Sequence, residues 1–349
     1  MELLVKTPLG LERIVASRIL ELEPKAEVVA KPKGLGGLII VDSCPDRFKL
    51  MEEILSEVPE AERVIPVEAE VDARIEEIEA AAKELAMKRL SPDQSFAVRT
   101  VRRGSHEFRS IDVNIRVGAS IQEAVGAPVD LDNPEKIIQV EIIFDKAAVA
   151  ILDGSSEWRK MGFGKRPSTK FFNKVSIVQM PYLGSMEGAR EIGRRIGRAV
   201  QAYEVRELVI APNKPVNAME LASFIDGVWE GIESRFKIQR RSYGRAVERI
   251  QVYVQDLYQL VRERRGEPII VFEPEGLQLR DAAAKLKEIL SRSKRVSFLF
   301  GSREGIPKGV YRLADLVIDL APAITLPTEV AAPAALTAVY TALNMMNLV

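Results

Sequence analysis

From residue 175 onward, apolar positions gather in short unbroken blocks: VSIVQMPYL, ELVIAP, PIIVFEP, RVSFLFG and ADLVIDL. Blocks of that length predict strands buried on both faces. Between them, apolar residues recur every three or four positions in GAREIGRRIGRAVQAY, NAMELASFIDGVWEGIESRF, LRDAAAKLKEILSRS and PTEVAAPAALTAVYTALNMM, which predicts helices. The stretch GRAVERIQVYVQDLYQLVRER puts Val247, Ile250, Val254, Leu257 and Val261 on one helical stripe, expected to pack on the sheet. RFKIQRRSYGR just before it predicts a basic loop. Alternating strands and helices of this kind predict an α/β layer around a mostly parallel sheet.

The first 75 residues follow a different rhythm. ELLVKT is extended, and GLERIVASRILELEP carries a helical period at Leu11, Ile14, Val15, Ile19 and Leu22, closed by Pro24. GGLIIVD predicts a strand, RFKLMEEILSEV a helix through Phe48, Met51, Ile54 and Leu55, and RVIPVEAEV a further strand. A run of this order resembles a small ferredoxin-like unit. Next comes the amphipathic helix DARIEEIEAAAKELAMKRL, then SFAVRTVRRGSHEFRS, an alternating strand entering a basic turn. A helix over SIDVNIRVGASIQEAVG is expected to begin with Ser110 as its N-cap. VDLDNPEKIIQVEIIF and AAVAILDG close the region as two strands. Residues 155–174 have no period and predict an inter-domain linker. The expected layout is therefore an α/β and α+β multidomain chain: 1–75, 76–154, the linker 155–174, and 175–349.

Composition narrows the chemistry. The 349 residues carry a formal net charge of zero, so any basic surface must be local. One cysteine, Cys44, excludes a disulfide framework and a multi-thiolate zinc site, and reads as a small core residue. One histidine, His106, excludes His-rich metal sites, and no metal is expected. The beginning MELLVKTPLG lacks a signal peptide's apolar core, and no apolar run reaches membrane-spanning length, so a cytoplasmic protein is expected.

Positive charge concentrates in two places. Arg99, Arg102, Arg103, His106 and Arg109 lie on one strand and its turn, a clustering that suits phosphate contacts. The alternative is a solvated basic strand edge. The linker adds Arg159, Lys160, Lys165, Arg166, Lys170 and Lys174 among Trp158, Phe163, Phe171 and Phe172. That mixture can grip single-stranded RNA, or its aromatics can dock the linker onto neighbouring domains. The Arg-rich strand and turn, the helix ending in Gly, VDLDNPE and the closing strand pair together resemble a THUMP domain, a module that binds RNA in tRNA-modifying enzymes. The resemblance covers about residues 76–152. A ferredoxin-like unit is this module's usual companion.

The segment FGSREGIPKG follows a predicted strand, yet it is no phosphate loop. The spacings G-x-x-x-x-G-K-[ST] and G-x-G-x-x-G are absent, and Pro307 opposes a helix opening at Gly305. Two strand-end loops, GSREGIPKG and APAIT, can instead hold an adenosine through backbone groups, with apolar side chains around the base. This order resembles the C-terminal half of the SPOUT methyltransferases, whose α/β trefoil knot wraps S-adenosylmethionine. The resemblance spans about residues 175–349 and is strongest over 298–343. It implies a cofactor site formed by Gly301, Ser302, Gly305, Ile306, Leu320, Ala321, Ile324, Thr325 and Leu326, with Glu273, Pro274 and Gly276 from the loop after IIVFEPEG. It also implies a homodimer through the C-terminal domain.

One departure matters. Many members carry a Ser-Leu-Asn-Val-Ser-like run where this chain has Thr325-Leu326-Pro327-Thr328-Glu329, so no catalytic residue carries over. Arg303, Glu304 and Glu329 are the candidates near the loops, although Glu304 also reads as a cap for its own turn. Thiolation, deamination and Rossmann-type methylation motifs are absent, as is the pseudouridine synthase loop. The expected function is an S-adenosylmethionine-dependent RNA methyltransferase acting on tRNA, with rRNA as the second choice of substrate. The alternative is a non-catalytic RNA-binding protein with a degenerate SPOUT-like domain.

Overall fold

The two rhythms of the sequence sort into three sheets in the computed structural model, which describes residues 1–162 and 165–346. By their contacts these residues fall into two units, Met1–Lys165 and Arg166–Val349. Phe163, expected among the linker aromatics, lies outside the described residues.

The first unit opens with β1 (Leu3–Lys6), α1 (Glu12–Leu22), β2 (Glu27–Ala30), β3 (Leu38–Ser43), α2 (Arg47–Glu57) and β4 (Arg63–Pro66). The sheet order is β2-β3-β1-β4, with each neighbouring pair antiparallel. The sequence did not announce β2, because EVVA is four residues long and only half covered. The extended run RVIPVEAEV also divides. Its first half is β4, and its second half is β5 (Ala69–Asp72), which pairs with a strand of the next sheet.

That second sheet follows α3 (Ile75–Arg89) and contains β6 (Phe96–Arg103), β7 (Lys136–Ile143) and β8 (Lys146–Asp153), with α4 (Ser110–Val125) between β6 and β7. Its order is β5-β8-β7-β6, and β6 with β7 is its parallel pair. Helices α3 and α4 cover one face, Val117 of α4 packing with Val98, Ile138 and Val149 of the strands. The other face packs on the first sheet, Ile143, Ala148 and Ala150 meeting Leu4, Ile40 and Ile65. Strand alternation makes this possible, since Leu3 and Val5 face α1 and α2 while Leu4 faces the second sheet. Ser110 is not the N-cap of α4 but its first helical residue. Arg109 precedes the helix, and the Asp112 carboxylate accepts its backbone N–H at 2.8 Å. The acceptor at the third helical position thus satisfies the N–H of the residue before the helix, a different donor from the first-turn amides that the serine was expected to cap.

The second unit runs α5 (Thr169–Phe172), β9 (Val175–Gln179), α6 (Met186–Tyr203), β10 (Glu207–Ile210), α7 (Ala218–Ser242), β11 (Gln251–Val254) and α8 (Leu257–Glu263). It continues β12 (Ile269–Gln278), α9 (Leu279–Arg292), β13 (Val296–Phe300), α10 (Lys308–Tyr311), β14 (Leu316–Asp319) and α11 (Thr328–Met345). All six strands are parallel, in the order β11-β10-β9-β13-β12-β14. Alternate residues of each strand enter different layers. Ile177, Phe298 and Ile318 face α6, α7, α9 and α11, whereas Val178, Val271 and Leu299 face α8 and α10.

Two expectations fail here. The long helix over 244–264 does not form: residues 251–254 are β11 and residues 257–263 are α8. The β-branched and aromatic residues Val252, Tyr253 and Val254 extend along the free edge of β10, and Asp256 then caps α8 by accepting from Gln259 N–H at 2.9 Å. The basic run RFKIQRRS is not a loop either; it forms the last turns of α7, and irregular chain begins at Tyr243. The latter half of the expected linker belongs to this unit's core, because Phe171 and Phe172 pack in tilted and edge-on contacts against Tyr203 and Tyr340.

The sheet is locked from its N-terminal edge. Ser176 of β9 and Ser297 of β13 are register partners, and both accept from Arg264 Nη1, at 2.7 and 2.8 Å. Arg264 Nη2 donates to Glu207 of β10 at 3.0 Å. One buried guanidinium therefore ties three neighbouring strands.

Candidate functional site

In a doubly covered parallel sheet, ligands sit beyond the C-terminal ends of the strands, where the strand order reverses. Here the order reverses between β9 and β13, since the chain continues from β9 to β10 on one side and from β13 to β14 on the other. A cavity of about 300 Å³ opens beside that point, walled by the residues that follow β12, β13 and β14.

The first wall is a bulge. β12 pairs with β14 through Phe272 opposite Ile318, and then again through Leu277 opposite the same Ile318. Residues 273–276 are thus thrown out of the ladder, which carries Glu273 and Glu275 away from the sheet. Gly276 is required there, since a Cβ would stand 2.5 Å from the Ile318 backbone.

The second wall is the loop after β13. The Glu273 carboxylate crosses to it and accepts the Ile306 N–H at 2.6 Å. Gly301 and Gly305 leave room for this, because a Cβ on Gly301 would meet both Glu273 Oε1 at 2.5 Å and Gly305 Cα at 2.6 Å. Gly305 itself has φ +68°, which favours glycine. The buried Ile306 side chain anchors the far end of the loop. At the near end Gln179, fully buried at the close of β9, donates to the Gly301 carbonyl at 2.8 Å.

The third wall is the loop after β14. Asp319 accepts Ala321 N–H at 3.0 Å, and Ala323 adopts φ +67° before Ile324.

Electrostatically the cavity is acidic. Burial pushes the Glu273 carboxyl up from its ordinary value, and neighbouring Glu275 adds to this against the pull of the Ile306 amide. Glu275 is held low by its bond to Lys308 and also accepts from Tyr311 at 3.2 Å. Tyr311 is pushed up, by burial first and then by the two glutamates.

Of the residues expected at a cofactor, Glu273, Pro274, Gly301, Ser302, Gly305, Leu320, Ala321, Ile324, Thr325 and Leu326 line this cavity. Gly276 and Ile306 support it from behind. Arg303 and Glu304 stand on its wall and also on that of a second hollow of about 160 Å³, formed with Met180, Pro181, Leu183, Pro212, Asn213 and Lys214. Arg303 lies over the Tyr182 ring at 4.9 Å, and Glu304 receives Lys214 Nζ at 2.6 Å. Ser302 Oγ is buried with no hydrogen-bond partner. Glu329 does not line the cavity: α11 turns it toward α6, where it pairs with Arg195 at 3.0 Å. Sequence reasoning missed Gln179 and Asp319, and also Glu275 and Thr328. The first two are polar residues ending apolar blocks, a signal that was there to use. Thr328 has no such signal.

The basic residues of the first unit are largely tied to its own atoms. Arg103 shares the fully buried Glu141 with Lys6, at 2.7 and 2.5 Å, because Arg103 and Glu141 face the first sheet, whose β1 carries Lys6. Desolvation lowers the Lys6 pKa despite that partner. Arg99 donates to the Leu131 carbonyl at 2.6 Å, Arg102 to that of His106 at 3.2 Å, and His106 Nε2 lies 2.5 Å from the Phe144 carbonyl. Arg109 pairs with Asp112, and Arg159 pairs with Glu157 and the Asp132 carbonyl. Lys165 reaches the Lys160 carbonyl at 3.4 Å. Trp158 stands fully exposed.

A family model described as AF2226-like SPOUT RNA methylase fused to THUMP matches residues 169–348, and a THUMP domain model matches residues 72–152. A relative from Methanocaldococcus jannaschii, described as an uncharacterized protein, is 40% identical over 342 residues, covering 97% of this chain and 93% of its own. A probable tRNA sulfurtransferase of the same organism is 33% identical over 146 residues, 40% of this chain and 38% of its own. A tRNA (guanine(6)-N2)-methyltransferase, also from that organism, is 37% identical over 68 residues, 18% of each chain. Among solved structures, the crystal structure of PH1313 from Pyrococcus horikoshii aligns over the whole of both chains at 18% identity with a TM-score of 0.37.

Proposed function

Since the chain belongs to the family of AF2226-like SPOUT RNA methylases fused to THUMP, we propose that it is an S-adenosylmethionine-dependent methyltransferase of tRNA. The observation that carries this reading is the acidic, glycine-walled cavity at the C-terminal ends of β12, β13 and β14.

The residues present fit the cofactor. Ile318, Leu320, Ile324 and Leu326 offer an apolar surface to an adenine, and Ser302 Oγ is a buried hydroxyl with no partner of its own. Glu273, Glu275 and Asp319 set negative charge around a cationic ligand. When bound, the cofactor supplies an electrophilic methyl group on a sulfonium. The chain's task is then in-line positioning, and removal of a proton where the acceptor is an amine or hydroxyl. Arg303 and Glu304 border both hollows, so an acceptor nucleotide in the smaller one would meet them beside the cofactor. Glu304 is the carboxylate placed to take that proton, with Lys214 holding its direction.

In this reading the first sheet, with its βαββαβ order, is ferredoxin-like and works with the THUMP segment in docking tRNA. The path from β13 out to β14 beyond β12, followed by α11 returning onto α6 and α9, supports reading the C-terminal domain as the trefoil knot that the family resemblance implies. The active form is a cytoplasmic homodimer through that domain. Calorimetry with S-adenosylmethionine is the test, and absence of binding at millimolar cofactor would sink it. The turn of Glu329 away from the cavity, to Arg195, favours one rival, a non-catalytic tRNA-binding protein. Cofactor binding without transfer of labelled methyl groups to total tRNA would select that rival.

A further inference from the structure

A hollow of about 690 Å³ lies at the opposite end of the second unit's sheet. Arg166, Lys170, Lys174 and Lys287 form its rim, over an apolar floor of Phe171, Leu290 and Leu343. Lys174 immediately precedes β9, Leu290 lies in the last turn of α9, and Leu343 belongs to the end of α11. These are all N-terminal-edge positions, whereas the cofactor cavity is at the C-terminal edge. Along α11, Thr328 of that cavity and Leu343 of this hollow are separated by about 22 Å at 1.5 Å per residue.

The charge of this rim is unbalanced. Among the described residues, none of its four cationic side chains makes an ion pair or hydrogen bond, and no carboxylate lines the hollow. Glu288, the adjacent acid, faces Arg292 at 3.5 Å. A groove between α6 and α7 shows the ordinary arrangement instead, with Arg194 and Arg195 interleaved with Glu191 and Glu230. With equal numbers of acidic and basic residues in the chain, an uncompensated group of four is not imposed by composition. Mutual repulsion of the four disfavours the bare site, and a polyanion would relieve it.

We propose that this hollow binds the phosphate backbone of RNA, as a second grip distinct from the THUMP segment and from the methyl-transfer cavity. The inference rests on the reading of the protein as an RNA-binding enzyme. The occupant is nucleic acid because cations around an apolar floor can take both phosphates and the face of a sugar or base.

The test compares the full chain with its K170E/K174E/K287E variant and with the milder K170Q/K174Q/K287Q variant. All three lysines point to the rim, so unchanged melting temperature and unchanged S-adenosylmethionine affinity establish that the variants fold. Total tRNA is titrated at several salt concentrations. The expected result is an affinity loss of at least about tenfold for the Glu variant, with the salt slope reduced by about 2 in both. Equal affinity and slope in variants and wild type would overturn the second grip while leaving the enzyme reading intact. Failure of the wild type to bind tRNA at all would overturn both. Competition by poly-glutamate but not by tRNA would assign the hollow to an acidic protein and likewise overturn the proposal.

Discussion

Glycine clusters at two places in the second unit, and the two clusters do opposite things with the space they free. In α6 and α7, Gly193, Gly197, Gly227 and Gly231 let two helix backbones touch. A Cβ on any of them would fall inside contact distance of a carbonyl on the facing helix, that of Phe224, Val228, Arg190 or Arg194 respectively. Each glycine within a helix costs about 1 kcal/mol relative to alanine, and close backbone packing offsets it. Around the cavity, Gly301 and Gly305 free space that a carboxylate enters and a ligand can share. The first cluster is spent on stability and the second on an opening, so substitution should separate the two.

The largest effect is expected for Gly197→Leu. With no flexible neighbour to yield, the helices must separate, destabilising the second unit by more than about 3 kcal/mol. Thermal unfolding reads this, and a melting temperature within a few degrees of wild type would end the comparison. Gly301→Ala, whose Cβ would press on the Glu273 carboxylate and on Gly305 Cα within a loop rather than between two helices, should lower the melting temperature by less than Gly197→Leu while weakening S-adenosylmethionine binding at least about tenfold, or about 1.4 kcal/mol. If its stability fell as far as that of Gly197→Leu, the two clusters would not differ in kind.

Carboxylates that reach glycine-rich turns sharpen the contrast through pH. Glu12 is buried and accepts from the amides of Gly37 at 2.7 Å and Gly10 at 3.1 Å; these bonds, that of Gly37 foremost, lower its pKa to about 2. Its contribution to stability is present above the ordinary carboxylate pKa and is lost as pH falls toward 2. Glu12→Gln should therefore be destabilised at neutral pH and show a shallower acid limb. Glu273 has the opposite sign. Its raised pKa means its contribution is full below the ordinary value and is lost as pH rises through the folded-state value. Denaturant titration of Glu273→Gln from pH 4 to 7 should show the variant gaining on wild type as pH rises; a constant difference would contradict the assignment. The smallest effect belongs to Glu329→Gln, which removes a partly exposed ion pair with Arg195. It should change stability by about 0–1 kcal/mol and cofactor affinity by less than about twofold.

Much of this arrangement was legible in the residues. Blocks such as VSIVQ and VSFLF announced themselves because a central parallel strand is buried on both faces and can carry few polar side chains. The loops GSREGIPKG and APAIT stood out because glycine and proline punctuate the ends of such blocks. Residues 247–261 misled for an equally physical reason. Their apolar spacing suits a helix, yet the unpaired edge of β10 offered QVYV four parallel register partners, and no local signal reveals such an edge. Glu329 was read as a cavity residue from its nearness in sequence, but the direction of α11 sends it to Arg195.

What the sequence determined by itself was therefore local: which segments extend, which coil, where the chain must turn, and which loops have the flexibility to enclose a ligand. The tertiary structure decided which of those loops meet. Glu273 reaches Ile306 only because β12 and β13 are neighbours and β12 bulges against β14. Arg264 ties Ser176, Ser297 and Glu207 only because parallel register brings strands from distant parts of the chain side by side. The four rim cations likewise converge because α5, the start of β9 and the C-terminal turns of α9 lie at one edge of the sheet. Residue pattern governs short-range conformation, whereas register and strand order govern which charges and cavities come together.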